Sequence, residues 1–248
     1  FPIVIMFLIV NSAMAQQCYP FPEDTAKWSV YSWWNNYPSG FITETNFYFI
    51  NGDTLFNNLN YVKIYLNNPF LTDVIDTVNS SYIGALREDE NKHVFFKPAS
   101  TNQIFSIHCQ INNNNLDEFL LYRFDVNVGD VFYLNDFVES NVSIYSEDSV
   151  LVGNHYRRKL MIDVGGMGEE WVEGIGAATS LFGNFCPYFE SGDQLLCYED
   201  PSTFYSGPLN PFGRCTDFIV GQEENRSSDL TLSPNPAHNT LKVYNSEN

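Results

Sequence analysis

The strongest constraint on this chain is that its apolar residues never settle into a helical stripe. No stretch keeps apolar positions at i, i+3, i+4 and i+7 over three turns; short apolar runs instead alternate with polar positions and stop at Asn, Gly or Asp. Alternation places successive side chains on opposite faces of a strand, so each run can bury one face and wet the other. Strands are expected at residues 47–50, 53–56, 61–65, 82–87, 94–97, 104–111, 118–125 and 131–134. Asn51-Gly52 and the polar stretches 57–60, 88–92, 112–115 and 127–130 read as the turns between them. The expected fold is all-β, an antiparallel meander of hairpins forming a sandwich or barrel-like domain over residues 16–221. One hairpin pattern recurs. Asp53-Thr54-Leu55 and Asp148-Ser149-Val150 each open an apolar strand, a Gly/Asn turn follows, and a Tyr (Tyr61, Tyr156) stands eight residues after the Asp. The two copies lie 95 residues apart, which implies a repeated sheet edge or two related half-barrels.

A span of about 200 residues is ample for a substantial core. Thirty acids against 12 bases give a net charge of −18, which argues against nucleic acid and anionic lipid as partners, since both demand clustered Lys and Arg. The five cysteines form no C-x-x-C, and the four histidines (93, 108, 155, 238) assemble no zinc spacing, so no metal or other cofactor is expected. Disulfides are the natural use of these thiols outside the cell. Cys197 and Cys215 flank a Pro- and Gly-rich loop, residues 200–213, and are expected to pair, closing a loop worth about 3 kcal/mol. Cys109 falls on the apolar side of its run and is expected to be a buried thiol.

The two ends carry an address. Residues 1–10 are apolar and lead to Ala13-Met14-Ala15, an A-x-A cleavage site, so 1–15 read as a signal peptide cut after Ala15. Without an initiator Met or a basic n-region, it is expected to be truncated at its N-terminus; it is too short to span a bilayer. Residues 222–229 are polar and form a linker. After them Pro234 and Pro236 bracket Asn235 in an extended corner, and Thr240, Lys242 and Tyr244 alternate with Leu241 and Val243. This Pro-Asn-Pro-Ala corner with its short amphipathic strand resembles the opening of the type A C-terminal sorting domain of the Bacteroidota type IX secretion system. The resemblance covers about 15 residues; the later strands of that family are absent, so 230–248 is expected to be a truncated small β sorting domain. It implies the type IX machinery as a partner and a secreted or cell-surface location. Within residues 47–215 the pieces Asp53-Thr54-Leu55, Ile83-Gly84-Ala85-Leu86, Val128-Gly129-Asp130, Asp148-Ser149-Val150 and Trp171-Val172-Glu173-Gly174-Ile175-Gly176 resemble, in this order, a group of secreted Bacteroidota proteins of uncharacterised activity. That resemblance brings no catalytic residue with it.

Two clusters bear on chemistry. Trp33 and Trp34 lie in the densest aromatic stretch, which in a β-domain ordinarily packs the core but if exposed stacks on sugar faces. Glu169, Glu170 and Glu173 beside Trp171 are the one carboxylate block with an aromatic platform. Glu169 or Glu173 as acid or base would suit a secreted polysaccharide hydrolase, although alternation supplies no facing carboxylate and a capped strand ending in Gly174 and Gly176 explains the block equally well. Gly174-Ile175-Gly176 lacks the third Gly of a dinucleotide fingerprint, and neither G-x-S-x-G nor H-E-x-x-H occurs. The expected function is binding or scaffolding without catalysis, with a glycan or another cell-surface component as ligand.

Overall fold

The computed structural model describes residues 18–68, 74–100, 102–106, 109–112, 117–134, 141–183, 190–217, 231–233 and 242–244. The signal peptide (1–15), the linker (222–229) and the corner Pro234-Asn235-Pro236 lie outside the described residues. The strands in chain order are β1 (Lys27–Asn35), β2 (Phe41–Phe56), β3 (Leu59–Asn67), β4 (Ser81–Glu88), β5 (His93–Pro98), β6 (Asn102–Ser106), β7 (Cys109–Asn112), β8 (Phe119–Arg123) and β9 (Val131–Phe132). They continue as β10 (Val142–Val152), β11 (His155–Val164), β12 (Met167–Val172), β13 (Gly176–Ala177), β14 (Ser191–Asp200), β15 (Thr203–Ser206), β16 (Thr231–Ser233) and β17 (Lys242–Tyr244). The described residues contain no helix, and none of them could cross a membrane as one. The all-β antiparallel expectation holds.

Eight strands in the order β15-β14-β1-β2-β3-β4-β5-β8 curl into a half-barrel, and a second sheet runs β13-β12-β11-β10-β9. Two small hairpins, β6–β7 and β16–β17, form sheets of their own. The core lies between the two large sheets, where Trp28, Tyr48, Ile64, Phe96 and Tyr122 meet Ile144, Leu160, Ile162 and Trp171. Burying each such large side chain contributes about 1.5–3 kcal/mol. Arg158 of β11 clasps the far edge: its Nη1 and Nη2 donate to the carbonyls of Phe124 and Val126, both at 2.6 Å, while Glu147 accepts from its Nε and Nη2 at 2.9 and 2.7 Å.

Two local expectations are corrected. Asn51-Gly52 is no turn, because β2 runs straight through it. Between the pairs Ile50↔Ile64 and Asp53↔Val62, β2 advances one residue more than β3, so the two residues sit in a β-bulge with Gly52 at φ 77°. The reversal comes later, at Asn57-Asn58, both at positive φ (52° and 63°), as a two-residue hairpin with a twist matching its strands requires. The run 104–111 is not one strand either: it holds β6 and β7, which pair antiparallel with Ser106 opposite Cys109, and no Gly or Pro in the run hints at this division. The repeated pattern does form two hairpins, β2–β3 in the large sheet and β10–β11 in the smaller, yet Tyr61 is buried and Tyr156 exposed. The hairpin recurs; its burial does not.

Cys197 and Cys215 are joined, with Cα atoms 5.2 Å apart. The loop they close and the residues just after it lie over the outer face of β1, β2 and β14, where Phe212 stands edge-on to Tyr31, Thr45 Oγ1 donates to Asp217 Oδ1 (2.6 Å) and Asp217 N donates to Thr45 Oγ1 (2.9 Å). Asn210 organises the loop from within, its Nδ2 donating to the carbonyls of Leu196 and Arg214 and its Oδ1 accepting from Phe212 N and Gly213 N. Phe47, Ser29 and Thr216 are buried on this outer side, which gives the sheet a second, smaller core. Replacing both cysteines with Ser should therefore destabilise the domain by about 3 kcal/mol for a closed loop of 18 residues. That corresponds to roughly 6–12 °C in melting temperature. A calorimetric scan showing a shift below about 1 °C would mean that the loop holds its place without covalent closure.

Candidate functional site

The carboxylate block does not form a cleft. Residues 171–182 cross between the two sheets, and every one of them except Thr179 is buried. A buried irregular segment must satisfy its backbone groups with partners other than water. Trp28 Nε1 donates to the carbonyl of Ile175 (2.8 Å), and the Tyr122 hydroxyl donates to the carbonyl of Leu181 (2.6 Å) while accepting from Ala177 N (3.2 Å). Glu173 N donates to Arg158 O, Ala178 N to Glu170 O, and Leu195 N to Ala178 O. Gly174 and Gly176 are required by space as well as by their positive φ. A Cβ on Gly174 would come within 2.8 Å of Arg157 Nη1 and of the Pro20 carbonyl, and one on Gly176 within 3.1 Å of the Tyr122 hydroxyl.

Both candidate acids are spent inside this crossing. Glu169, beside Ile162 and Trp171 on the inner face of β12, accepts from Thr179 Oγ1 at 2.7 Å. The Glu173 side chain is only 1 % exposed and accepts from Lys92 Nζ at 2.6 Å. An acid and base of a glycosidase must flank a sugar across open space of about 5–10 Å. These two instead carry bonds that hold the crossing in place. Burial, the largest influence on Lys92, pulls its ammonium down, but the bonds to Glu173 and Cys18 together outweigh it and hold Lys92 above its ordinary value.

A groove of about 650 Å³ opens where β4 ends and β3 begins, lined among others by Phe21, Asp53, Tyr61, Arg87, Glu88 and Glu90. No sequence signal pointed to it, because its walls come from the N-terminal strap, two hairpins and a turn. The strap is pinned there: Phe21 stacks on Tyr122 and its N–H donates to Glu88 Oε2 at 2.7 Å. Burial, reinforced by nearby Glu173, holds the Glu88 carboxyl above the usual carboxylate range even though the Phe21 N–H works against it. On the same side Arg87 grips Glu118 through Nε (2.9 Å) and Nη2 (2.6 Å), and Tyr61 OH donates to Glu118 Oε2 at 2.5 Å. Burial pushes Glu118 up, but these donors outweigh it and its carboxyl lies below the ordinary value. Among the described residues no group of three His, Cys, Asp or Glu side chains forms a metal site.

Trp33 and Trp34 do not make one surface, since consecutive strand residues point to opposite faces. Trp34 shares the side of Trp28, Val30 and Ser32. There Ser32 Oγ donates to Asp193 Oδ1 (2.6 Å), Asn46 Nδ2 donates to Ser32 Oγ (3.1 Å) and Glu44 Oε1 (2.8 Å), and Asn68 Nδ2 donates to Glu44 Oε2 (2.6 Å). Trp33 lies on the outer face with Tyr31 and Thr45.

Two outcomes test this assignment of charges. Lys92→Met leaves Glu173 buried without its cation and should cost about 3–5 kcal/mol in urea unfolding. Glu173→Gln should cost only about 1–2 kcal/mol, because the Lys92 left behind is 31 % exposed and can reach water. Equal costs would place the pair's strength elsewhere. Glu88 and Glu118 should act in opposite directions with pH. A carboxyl raised by folding, as in Glu88, favours the fold below its unfolded value near 4.3 and loses that contribution as pH climbs through its folded value. A lowered one, as in Glu118, contributes above about 4.3 and loses its contribution as pH falls through its folded value. Urea melts at pH 7 should thus find Glu88→Gln at least as stable as the parent and Glu118→Gln less stable, with the Glu118→Gln deficit shrinking at pH 3.

Compared with family models, curated proteins and solved structures, the chain matches none.

Proposed function

We propose that this chain is a secreted or cell-surface β-domain exported by the type IX secretion machinery, working by binding or scaffolding and not by catalysis. The observation that carries the reading is the fate of Glu173. The carboxylate block that best fitted catalysis in the sequence is a structural tie, with Glu173 sealed in the core against Lys92 and Glu169 bonded to Thr179. The apolar opening ending at Ala13-Met14-Ala15 and the Pro234-Asn235-Pro236 corner support export, and the Cys197–Cys215 bond suits an oxidising compartment. A net charge of −18 leaves glycans or other cell-surface components as better partners than nucleic acid.

Export is tested by fusing a complete sorting domain after residue 230 and measuring protease accessibility on intact cells. The fusion should reach the surface, and deletion of everything after Gly221 should abolish export; unchanged export of the deletion would remove the sorting assignment. The non-catalytic reading is tested separately by incubating the purified chain with polysaccharide and peptide libraries. Turnover that survives Glu88→Gln but not Glu169→Gln would restore the hydrolase.

A further inference from the structure

At the hairpin end of β1 the outer face carries a flat aromatic surface, and we propose that it holds a neutral polysaccharide chain, an inference that rests on the binding role proposed above. Opposite Trp33 in β14 stands Gly192. A Cβ built on Gly192 would come within 3.1 Å of three indole atoms at once, Cε2, Cζ2 and Nε1. Equal approach to three atoms of one ring means that the indole lies flat across the Gly192 backbone, in a space that a residue with a side chain would fill. One ring face is thereby pressed to the sheet. Trp33 remains half-exposed, so its outward face is the one that meets solvent.

Exposed rings stand at the same end of β1. Phe41, 65 % exposed, stands edge-on to Trp33 at 5.8 Å, and Tyr37 is 89 % exposed in the connection between β1 and β2. Two residues back along the same face is Tyr31, with Phe212 edge-on to it at 5.1 Å. The rings therefore follow β1 at a spacing of about 6.6–6.8 Å, the two-residue step of a strand. Polar groups flank them: Thr43 is exposed and opposite Trp33, and Asn35 Nδ2 donates to Glu190 Oε2 beside Phe41.

A pyranose ring combines an apolar C–H face with a rim of hydroxyls. The C–H face stacks on the electron-rich face of an indole, and the rim needs amide, hydroxyl and carboxylate partners at the edge. That is the pattern on this face. The charge of the chain selects further, because −18 overall and Glu190 at the patch disfavour an anionic polymer. The sequence suggested Trp33 and Trp34 together; the strand leaves Trp33 alone on this face and recruits Phe41 and Tyr31.

The test is native affinity electrophoresis of the full chain through gels containing β-glucan, xyloglucan or galactomannan, with polygalacturonate and alginate as anionic probes. At least one neutral polysaccharide should retard the chain and neither anionic one should. Trp33→Ala and Phe41→Ala should each weaken retardation by about tenfold or more. Gly192→Val, which lifts the indole while keeping it, should do the same with an unchanged melting temperature, so the outcome does not depend on Trp33→Ala folding normally. Tyr156→Ala, a change at an exposed ring elsewhere, should retain parental retardation. Absence of retardation by every neutral probe overturns the glycan site while leaving export and the non-catalytic reading intact. Retardation indifferent to all three patch variants overturns it too, as does self-association in sedimentation that is lost in Trp33→Ala. Degradation of the retarding polysaccharide would instead sink the non-catalytic reading.

Discussion

A run of twelve residues, 171–182, leads from the end of β12 through the two-residue β13 and on through the interior with little regular structure, and the rest of the domain is arranged to make that possible. Buried backbone cannot be left without hydrogen-bond partners, because each unsatisfied group costs about 1–3 kcal/mol. The partners come from every direction: Trp28 on β1, Tyr122 on β8, Arg158 on β11 and Leu195 on β14, while Lys92 in the turn before β5 holds the Glu173 carboxylate. Both large sheets therefore converge on one segment, and the aromatic groups that bond to it also pack the core beside it. Trp171 stands edge-on to Tyr122 at 5.1 Å, and Phe182 edge-on to Phe96 at 5.0 Å.

This arrangement explains why acidic residues sit where catalysis would be sought. A carboxylate in the core is tolerated only with a partner, and an ion pair there costs nearly as much in desolvation as it returns in attraction. The Glu173–Lys92 pair is better understood as fixing which turn meets which than as a source of large stability. Its partner Lys92 holds a positive φ of 61° and its carbonyl accepts from Phe124 N, so one residue joins the crossing, the β4–β5 turn and the end of β8. The outer face follows a different logic. There the disulfide loop reaches along β1 as far as Tyr31, which Phe212 meets edge-on, and beyond it Phe41 is exposed and Trp33 half-exposed. Coverage stops where the aromatic surface begins.

Much of the fold was legible because its causes are local. Alternation identified β3, β4, β5 and β8 to within a few residues, and the Asn-rich turn at 57–58 was marked by residues that tolerate positive φ. Alternation was less informative at Asn51-Gly52, where the same residues serve a bulge as well as a turn, and over the run 104–111, which holds two paired strands but no Gly or Pro between them. The groove was illegible altogether: Phe21, Tyr61 and Glu88 are far apart in sequence and become neighbours only when the sheet curls.

The sequence by itself determined the class of fold, the acidic charge, the pairing of Cys197 with Cys215 and the alternation of strands such as β4, β5 and β8, since each depends on residue type and short-range periodicity. Tertiary structure alone decided what each face would meet. Period two says that Trp33 and Trp34 part company, but only Gly192 across the sheet lays one indole flat on the surface. Residue type makes Glu173 an acid, but only Lys92, 81 residues earlier in the chain, makes it a buried tie. Burial is a property of two segments brought together, and sequence periodicity describes only one of them at a time.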